Sequence, residues 1–374
     1  MLSCSILSSV LSSILSSAIL WSVDDKIPED KIADDKTTRQ QNELLGFADQ
    51  QHTPNHPFPF IMAALDIKSA EDVLQLGLEY VGISYEEQEV KSHKLLVESF
   101  HDHYGCIPVD LAQMWYDLQT TDIQEAKLKE DEKNEKGFRM FMAANYFIWT
   151  NPKNAGLVSS RFKICKRYVQ SNQQLWKWVL KMGALMPSKV VWDEATLGSD
   201  DYFHFIASAD CVDFNIWEKP SERYNVDKGL MSFKSKHAAL RYLIAVSIWD
   251  SSCIYVHGPV RAGVVNDISQ WRLDLKQKML ALPGKMLVTD GGFQTSENDE
   301  IGICAIPNAR DNQELRTFKT RVRQRHESFN GRLKCYKILQ DVFRFDPEKH
   351  VHVVHAVITR VHYAMESGSP LFDP

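Results

Sequence analysis

The sequence predicts an α/β protein in which helices flank a mixed sheet and an all-helical region precedes it. Three observations carry this. From about Ser92 to Met186 apolar residues recur at helical spacing. After Lys189 the pattern changes to short strand-like runs. A long basic amphipathic stretch, Asn312 to Leu339, then follows the last of those runs. The order strand, strand, strand, helix, strand, strand, helix is that of a layered α/β architecture. The segments expected are a low-complexity or disordered stretch over 1–57, a helical region over 58–188, an α/β domain over 189–345, and a C-terminal helix over 346–374 that packs on it.

Each element has its own reason. The first 22 residues hold nine serines and no basic n-region, so they make a poor secretory signal and a poor membrane span. They read as low-complexity sequence, with a targeting segment as the alternative. Residues 23–57 are acidic and polar and end in HTPNHPFPF, a linker or disordered tail. Residues 60–85 alternate apolar and charged groups without a chemical signature. HKLLVESFHDHYG and PVDLAQMWYDL are helical, the second with Pro108 in its first turn. DIQEAKLKEDEKNEKG is a solvated helix or loop, and FRMFMAANYFIW a buried helix. NAGLVSSRFKI and SNQQLWKWVLKMGALM follow, with Asn154 and Ser171 as N-caps. With Arg161, Lys163, Lys166 and Arg167 near the intervening turn, the pair fits a helix-turn-helix; as an ordinary hairpin it would bury Trp176, Trp178 and Leu180.

Strands are expected at KVVW, at DYFHFIASADCVDFNIW, and at LRYLIAVSIWD and SCIYVHGPV, the last two joined by a turn at Asp250–Ser252. Asp267 opens the helical stretch ISQWRLDLKQKML. KMLVTDGGF and IGICAIPN supply two further strands. Asn312 to Leu339 reads as one long helix with Leu315, Phe318, Val322, Phe329, Leu333 and Tyr336 on its apolar stripe. PEKHVHVVHAVITRVHYAM closes the chain as a helix. Its His350, His352, His355 and His362 read as packing and capping groups among valines, not as metal ligands.

Composition excludes more than it selects. The 374 residues carry a formal net charge of −6, so whole-chain charge does not indicate a polyanion partner. Charge is uneven: residues 23–50 hold eight acids and four bases, residues 310–337 nine bases and three acids, so such a partner would be met locally. Seven scattered cysteines without a Cys-x-x-Cys pair argue against a disulfide framework and a structural zinc site, and suit a reducing compartment.

Three acids stand where packing alone does not explain them. Asp210 lies in a strand, Asp290 ends another and precedes Gly291-Gly292, and Glu327 sits on the basic helix. A buried aspartate costs several kcal/mol (roughly) unless it is paired or metal-bound. Two strand acids and one helix acid meeting at a sheet edge would suit phosphoryl transfer with two divalent cations held by hard oxygen ligands. Asp213 rivals Asp210; the two have opposite parity and face opposite sides of a regular strand, and pattern alone does not choose.

ADCVDFNI, LVTDGGF and RVRQRHESFNGRLK resemble the three catalytic blocks of DDE-type transposases of the PIF/Harbinger and bacterial insertion-sequence group, over about Lys189 to the C-terminus. That resemblance implies an RNase H-like catalytic fold, cutting and joining of DNA, and a helical N-terminal region with a helix-turn-helix. It favours Asp210 over Asp213 and implies Asp210, Asp290 and Glu327 as catalytic ligands of Mg²⁺ or Mn²⁺, two ions in all. In the related Tyr-x2-Arg-x3-Glu-x6-Lys signature, Arg323, Glu327 and Lys334 are in register, while Thr320 replaces the Tyr. Arg323 and Lys334, with Arg316 and Lys319 on the same basic helix, are expected to contact phosphate. Asp267 matches a further block and would support the site or, by the simpler reading, cap its helix. The partner implied is double-stranded DNA, as element ends and target, in the nucleus. A homo-oligomer and a second DNA-binding protein are left open, and no membrane is involved. A non-catalytic DNA-binding or adaptor protein derived from a transposase is the alternative. A plain structural protein would keep the three acids apart.

Overall fold

The computed structural model describes residues 68–84, 92–165, 173–199, 204–218, 227–250, 252–293, 302–305 and 311–371. The low-complexity N-terminal stretch and the turn of the expected helix-turn-helix lie outside the described residues. Leu65–Pro374 form one compact unit.

Its centre is a five-stranded sheet in the order β3-β2-β1-β4-β5. The strands are β1 (Phe205–Asn215), β2 (Ala239–Ser247), β3 (Cys253–Arg261), β4 (Met286–Thr289) and β5 (Ile303–Ala305). β1, β2 and β3 pair antiparallel, while β4 runs parallel to β1 and to β5. The sheet is therefore mixed, as expected, and flanked by helices, an arrangement consistent with an RNase H-like fold. KVVW forms no strand. Met186–Lys189 is a short helix, and Val191 is exposed without a strand partner. β-propensity without a neighbour to pair with does not make a strand.

Among the described residues the chain runs, before the sheet, through α1 (Ala70–Tyr80), α2 (His93–Tyr104), α3 (Pro108–Thr120), α4 (Glu135–Thr150), α5 (Ala155–Arg161), α6 (Gln173–Ala184) and α7 (Met186–Lys189). A short α8 (Glu194–Gly198) leads into β1. Ser69 and Asp72 cap α1 reciprocally, Pro108 occupies the first turn of α3, and the Asn154 side chain caps α5. The acidic and basic run before α4 is a loop with one 3₁₀ turn, Glu130–Glu132. α9 (Asp267–Leu273) and α10 (Leu275–Leu280) replace the single helix expected there. The break is at Asp274, whose carboxylate accepts from the Tyr255 hydroxyl at 2.9 Å. α11 (Gln313–Cys335) is the long basic helix, α12 is Lys337–Gln340, and α13 (His350–Glu366) closes the chain. The expected single helix to Leu339 is interrupted because Tyr336 turns extended (ψ 115°) to pack edge-on against Trp149 at 5.2 Å.

Alternation along β1 and β2 sorts two cores. Val212, Phe214, Tyr242, Ile244 and Val246 join the main core with Phe329, Leu333, Val353, Val357 and the N-terminal helices. Ala207, Ala209, Cys211, Leu243 and Ala245 face the second core, built on Trp271, Leu275 and Met279 of α9 and α10. A small third patch joins Val322 of α11 to Ile248 and Val288, with Phe205 and Phe318 in contact at 5.3 Å. His350 lies fully buried, its Nδ1 sharing a hydrogen bond with the Tyr242 hydroxyl at 2.8 Å.

α6, the second helix of the expected helix-turn-helix, buries Leu175, Trp176, Trp178, Val179 and Met182. Of its outward residues, Lys177 is ion-paired with Glu132. Gly183 lets α6 approach α13: a Cβ there would lie 2.8 Å from the His352 carbonyl and 3.3 Å from the Ala356 nitrogen, both backbone atoms. Gly183→Val should therefore push the helices apart and cost about 1–3 kcal/mol. Urea denaturation should show a lowered midpoint with an unchanged slope.

Candidate functional site

β1 and β4 run parallel and their ladder ends at the pair Ala209–Thr289. Asp210, the next residue of β1, and Asp290, just past the end of β4, are therefore brought to the same end of the ladder. α11 crosses this edge on the patch formed by Phe318 and Val322, and Glu327 follows one turn later. Ser208, Asp210, Asp290, Arg323, His326 and Glu327 line one small cavity. The three acids expected at a common site thus share one.

Their surroundings differ. Asp210 is partly buried; its Oδ1 accepts from the Cys211 backbone N–H at 2.7 Å and its Oδ2 from Asn330 Nδ2 at 3.4 Å. Burial pushes its carboxyl up to about 6, opposed by the Lys234 ammonium and reinforced by the negative charges of Asp290 and Glu327. Asp290 Oδ1 accepts from the Gly292 N–H at 2.9 Å. Glu327 is exposed and lies 3.8 Å from Arg323 Nη2. A buried bond crosses the cavity wall: the Ser208 hydroxyl and His326 Nδ1 are 2.8 Å apart. This ties β1, two residues before Asp210, to α11, one residue before Glu327. Burial pulls the His326 imidazole down to about 4, so it is neutral at physiological pH.

Asp213 is separated from this site by strand parity and by its partner. Arg241 faces it across the β1–β2 pair, donating from Nε to Oδ1 at 2.6 Å and from Nη2 to Oδ2 at 2.9 Å. The same guanidinium donates from Nη1 to Asp267 Oδ1 at 2.8 Å and to the Val265 carbonyl at 3.0 Å. Asp267 is therefore no N-cap, contrary to the simpler expectation. Asn266 caps α9, and Asp267 is buried at its first position as an ion-pair partner. Lys234 Nζ lies 3.6 Å from Asp267 Oδ2 and donates to the Cys211 carbonyl at 3.1 Å. Burial works against its charge, yet Asp267, Asp210 and Asp290 together hold the ammonium above its ordinary value.

The basic residues expected to meet phosphate fall in different places. Arg323 lines the cavity. Lys334 and Arg316 are exposed on α11. Lys319 is fully buried, its Nζ donating to Asp311 Oδ2 at 2.7 Å, so its charge is already matched inside the fold. Thr320, at the Tyr position of the signature, is exposed and donates its hydroxyl to the Arg316 carbonyl at 2.8 Å. Sequence reasoning missed Lys234, His326 and Asn330. Asn330 was within reach, since it stands one turn beyond Glu327. Lys234 was not, because its approach to the acids depends on how the connection between β1 and β2 folds back on the sheet.

The donor chemistry of the cavity suits a hard cation. Three carboxylates line it, and the buried Thr289 Oγ1 and Asn330 Oδ1 lack a hydrogen-bond partner. Among the described residues no three acids, histidines or cysteines are already close enough to hold a metal ion.

Residues 209–359 match the family model of a DDE superfamily endonuclease. The matched span begins one residue before Asp210 and contains Asp290 and Glu327. It covers less than half of the chain. The match supports the DDE-type resemblance and, with it, a nuclease or transposase activity on DNA. No curated protein and no solved structure matches the chain. Among the described residues no helix is long and apolar enough to cross a membrane.

Removing the Arg241 charge would leave Asp213 buried with the Ser232 hydroxyl as its remaining donor and Asp267 with Lys234, 3.6 Å away, as its remaining ion-pair partner. Arg241→Met should destabilise the fold by about 3–5 kcal/mol. The triple variant with Asp213→Asn and Asp267→Asn should recover part of that loss in chemical denaturation. No recovery would mean that the guanidinium acts through packing alone.

Proposed function

We propose that the protein is a metal-dependent DNA endonuclease and strand transferase, and that Asp210, Asp290 and Glu327 hold the cations it uses. The observation that carries this reading is the common cavity lined by three carboxylates from β1, β4 and α11, within the span similar to a DDE endonuclease. Two bound Mg²⁺ or Mn²⁺ ions would activate the attacking oxygen and stabilise the leaving one in an in-line displacement.

The chain's own residues supply position and charge. Arg323 at the cavity wall and Lys334 about three turns further along α11 would hold non-bridging phosphate oxygens, and exposed Arg316 would extend the track along the DNA backbone. Asn330 orients Asp210 through its amide, and the Ser208–His326 bond sets the spacing of β1 and α11. Asp267 supports the site from behind through Arg241 and Lys234. The DNA would be double-stranded, and a nuclear location follows from that substrate. The PIF/Harbinger affinity in this reading rests on the likeness of ADCVDFNI, LVTDGGF and RVRQRHESFNGRLK to that group's catalytic blocks.

Cleavage of supercoiled plasmid, or of DNA carrying the element's ends, tests this directly. Asp290→Asn and Glu327→Gln should each lower the Mg²⁺-dependent rate by more than the roughly 10–100-fold that loss of a residue supporting a metal ligand costs. Cutting that persists in both variants would remove the assignment.

The alternative is a DNA-binding or adaptor protein without catalysis, against which stand the three carboxylates lining one cavity. Mn²⁺ binding separates the two readings. Asp210 gives a second handle. Its folded carboxyl, near 6, exceeds the unfolded value near 3.8. The stability due to its bound proton is complete below the unfolded value and is lost as pH rises through about 6. In chelator, raising the pH through this window should cost the wild type about 2–3 kcal/mol more than Asp210→Asn. Mn²⁺ at neutral pH should raise the melting temperature of the wild type and not that of Asp210→Asn. Equal responses of both proteins would favour the adaptor.

A further inference from the structure

The loop before β2 carries a feature that the acid cavity does not use. Phe233 is the most exposed large apolar side chain among the described residues, at 75%. Single exposed apolar residues are ordinary on protein surfaces. Phe233 differs in how it is held and in what stands beside it.

The turn that presents it is closed from both sides. The Ser232 N–H donates to the His237 carbonyl at 2.9 Å, and the Lys236 N–H to the Ser232 carbonyl at 3.0 Å. Lys236 takes a left-handed conformation with φ +60°. Ser232 is fully buried; its hydroxyl donates to Asp213 Oδ2 at 2.6 Å and accepts from the backbone nitrogens of Lys234 and Ser235, both at 3.1 Å. Asp213 is in turn fixed by Arg241. The tip therefore rests on the same buried ion pairs that support the acid site. From this fixed turn, Lys234 folds inward to the Cys211 carbonyl and Asp267, while Phe233 stands out in solvent.

An exposed aromatic ring on a pre-set turn, next to a half-exposed ammonium that reaches the acid cluster, has the composition of a platform for unpaired nucleic acid. Bases stack on the ring while cations meet the backbone. Lys236 and His237 add exposed basic groups on the same tip. The fixed turn lowers the ordering cost of binding.

We propose that Phe233 stacks on a nucleobase of a locally unpaired DNA strand next to the phosphate in the acid cavity, with Lys234 contacting the adjoining backbone. The strand end is thereby held in place relative to Asp210 and Asp290. This rests on the reading of the cavity as a phosphodiester site.

The test is fluorescence anisotropy of the full chain with a labelled oligothymidylate and with an abasic strand of equal length, both in chelator. Phe233→Ala should weaken oligothymidylate binding about tenfold, within the range of one lost stacking contact. Phe233→Trp should retain the wild-type affinity. On the abasic strand, wild type and Phe233→Ala should bind alike. The inference is overturned if Phe233→Ala binds oligothymidylate as the wild type does, or if its loss is the same on the abasic strand. Binding is read without cutting. A nuclease reading lost in the plasmid assay would thus leave the stacking difference intact, and a lost stacking difference would leave cation-dependent cutting intact.

Discussion

The structure around the site depends on one buried guanidinium. Arg241 sits in the second strand with both neighbouring acids in reach: Asp213 across the pair and Asp267 at the start of α9. Its burial is costly by itself, and so is that of each acid; together they satisfy one another with three hydrogen bonds, two of them forked onto Asp213, and a fourth runs to the Val265 carbonyl. That arrangement fixes three things at once: the register of β1 on β2, the seat of α9, and through Asp213 the turn at Ser232. It also divides the labour among the acids. Those held by Arg241 are neutralised within the fold. Asp210, Asp290 and Glu327 have looser compensation, from the Lys234 ammonium near Asp210 and from Arg323 at 3.8 Å from Glu327.

The consequence is a local conflict between stability and function. Asp210 is pushed toward protonation by burial and by the two other acids, and the nearby Lys234 offsets this only in part. A fold selected for stability alone would not gather these charges on one sheet edge with unpartnered Thr289 and Asn330 oxygens beside them. A positively charged ligand would relieve the repulsion. The Ser208–His326 bond, neutral on both sides, holds strand and helix together without adding to the charge.

Much of this was legible in the sequence, for definite reasons. The mixed sheet followed from strand-length apolar runs interrupted by one helical pattern, and the acids followed from their places in those runs. Parity showed that Asp210 and Asp213 face opposite sides. The resemblance favoured Asp210; in the structure Asp213 is taken into an ion pair by Arg241, 28 residues downstream, a contact no local pattern encodes. Lys319 looked like one of several cations on a basic helix; Asp311, eight residues earlier, takes its charge into the interior. The interruptions at Asp274 and Tyr336 come from tertiary partners, Tyr255 and Trp149, that override helical periodicity. α1 is signalled by the Ser69 to Asp72 cap, in a stretch that otherwise carries no chemical signature.

α11 is 23 residues long, about 34 Å from end to end. It rests on the rest of the molecule at two separate places: Val322 on the small patch with Ile248 and Val288, and Phe329 and Leu333 on the main core. Glu327 lies between them, one residue from the His326 ring that is bonded to Ser208 of β1. A rod clamped on both sides of a point holds that point still, so the carboxylate keeps its station over the sheet edge.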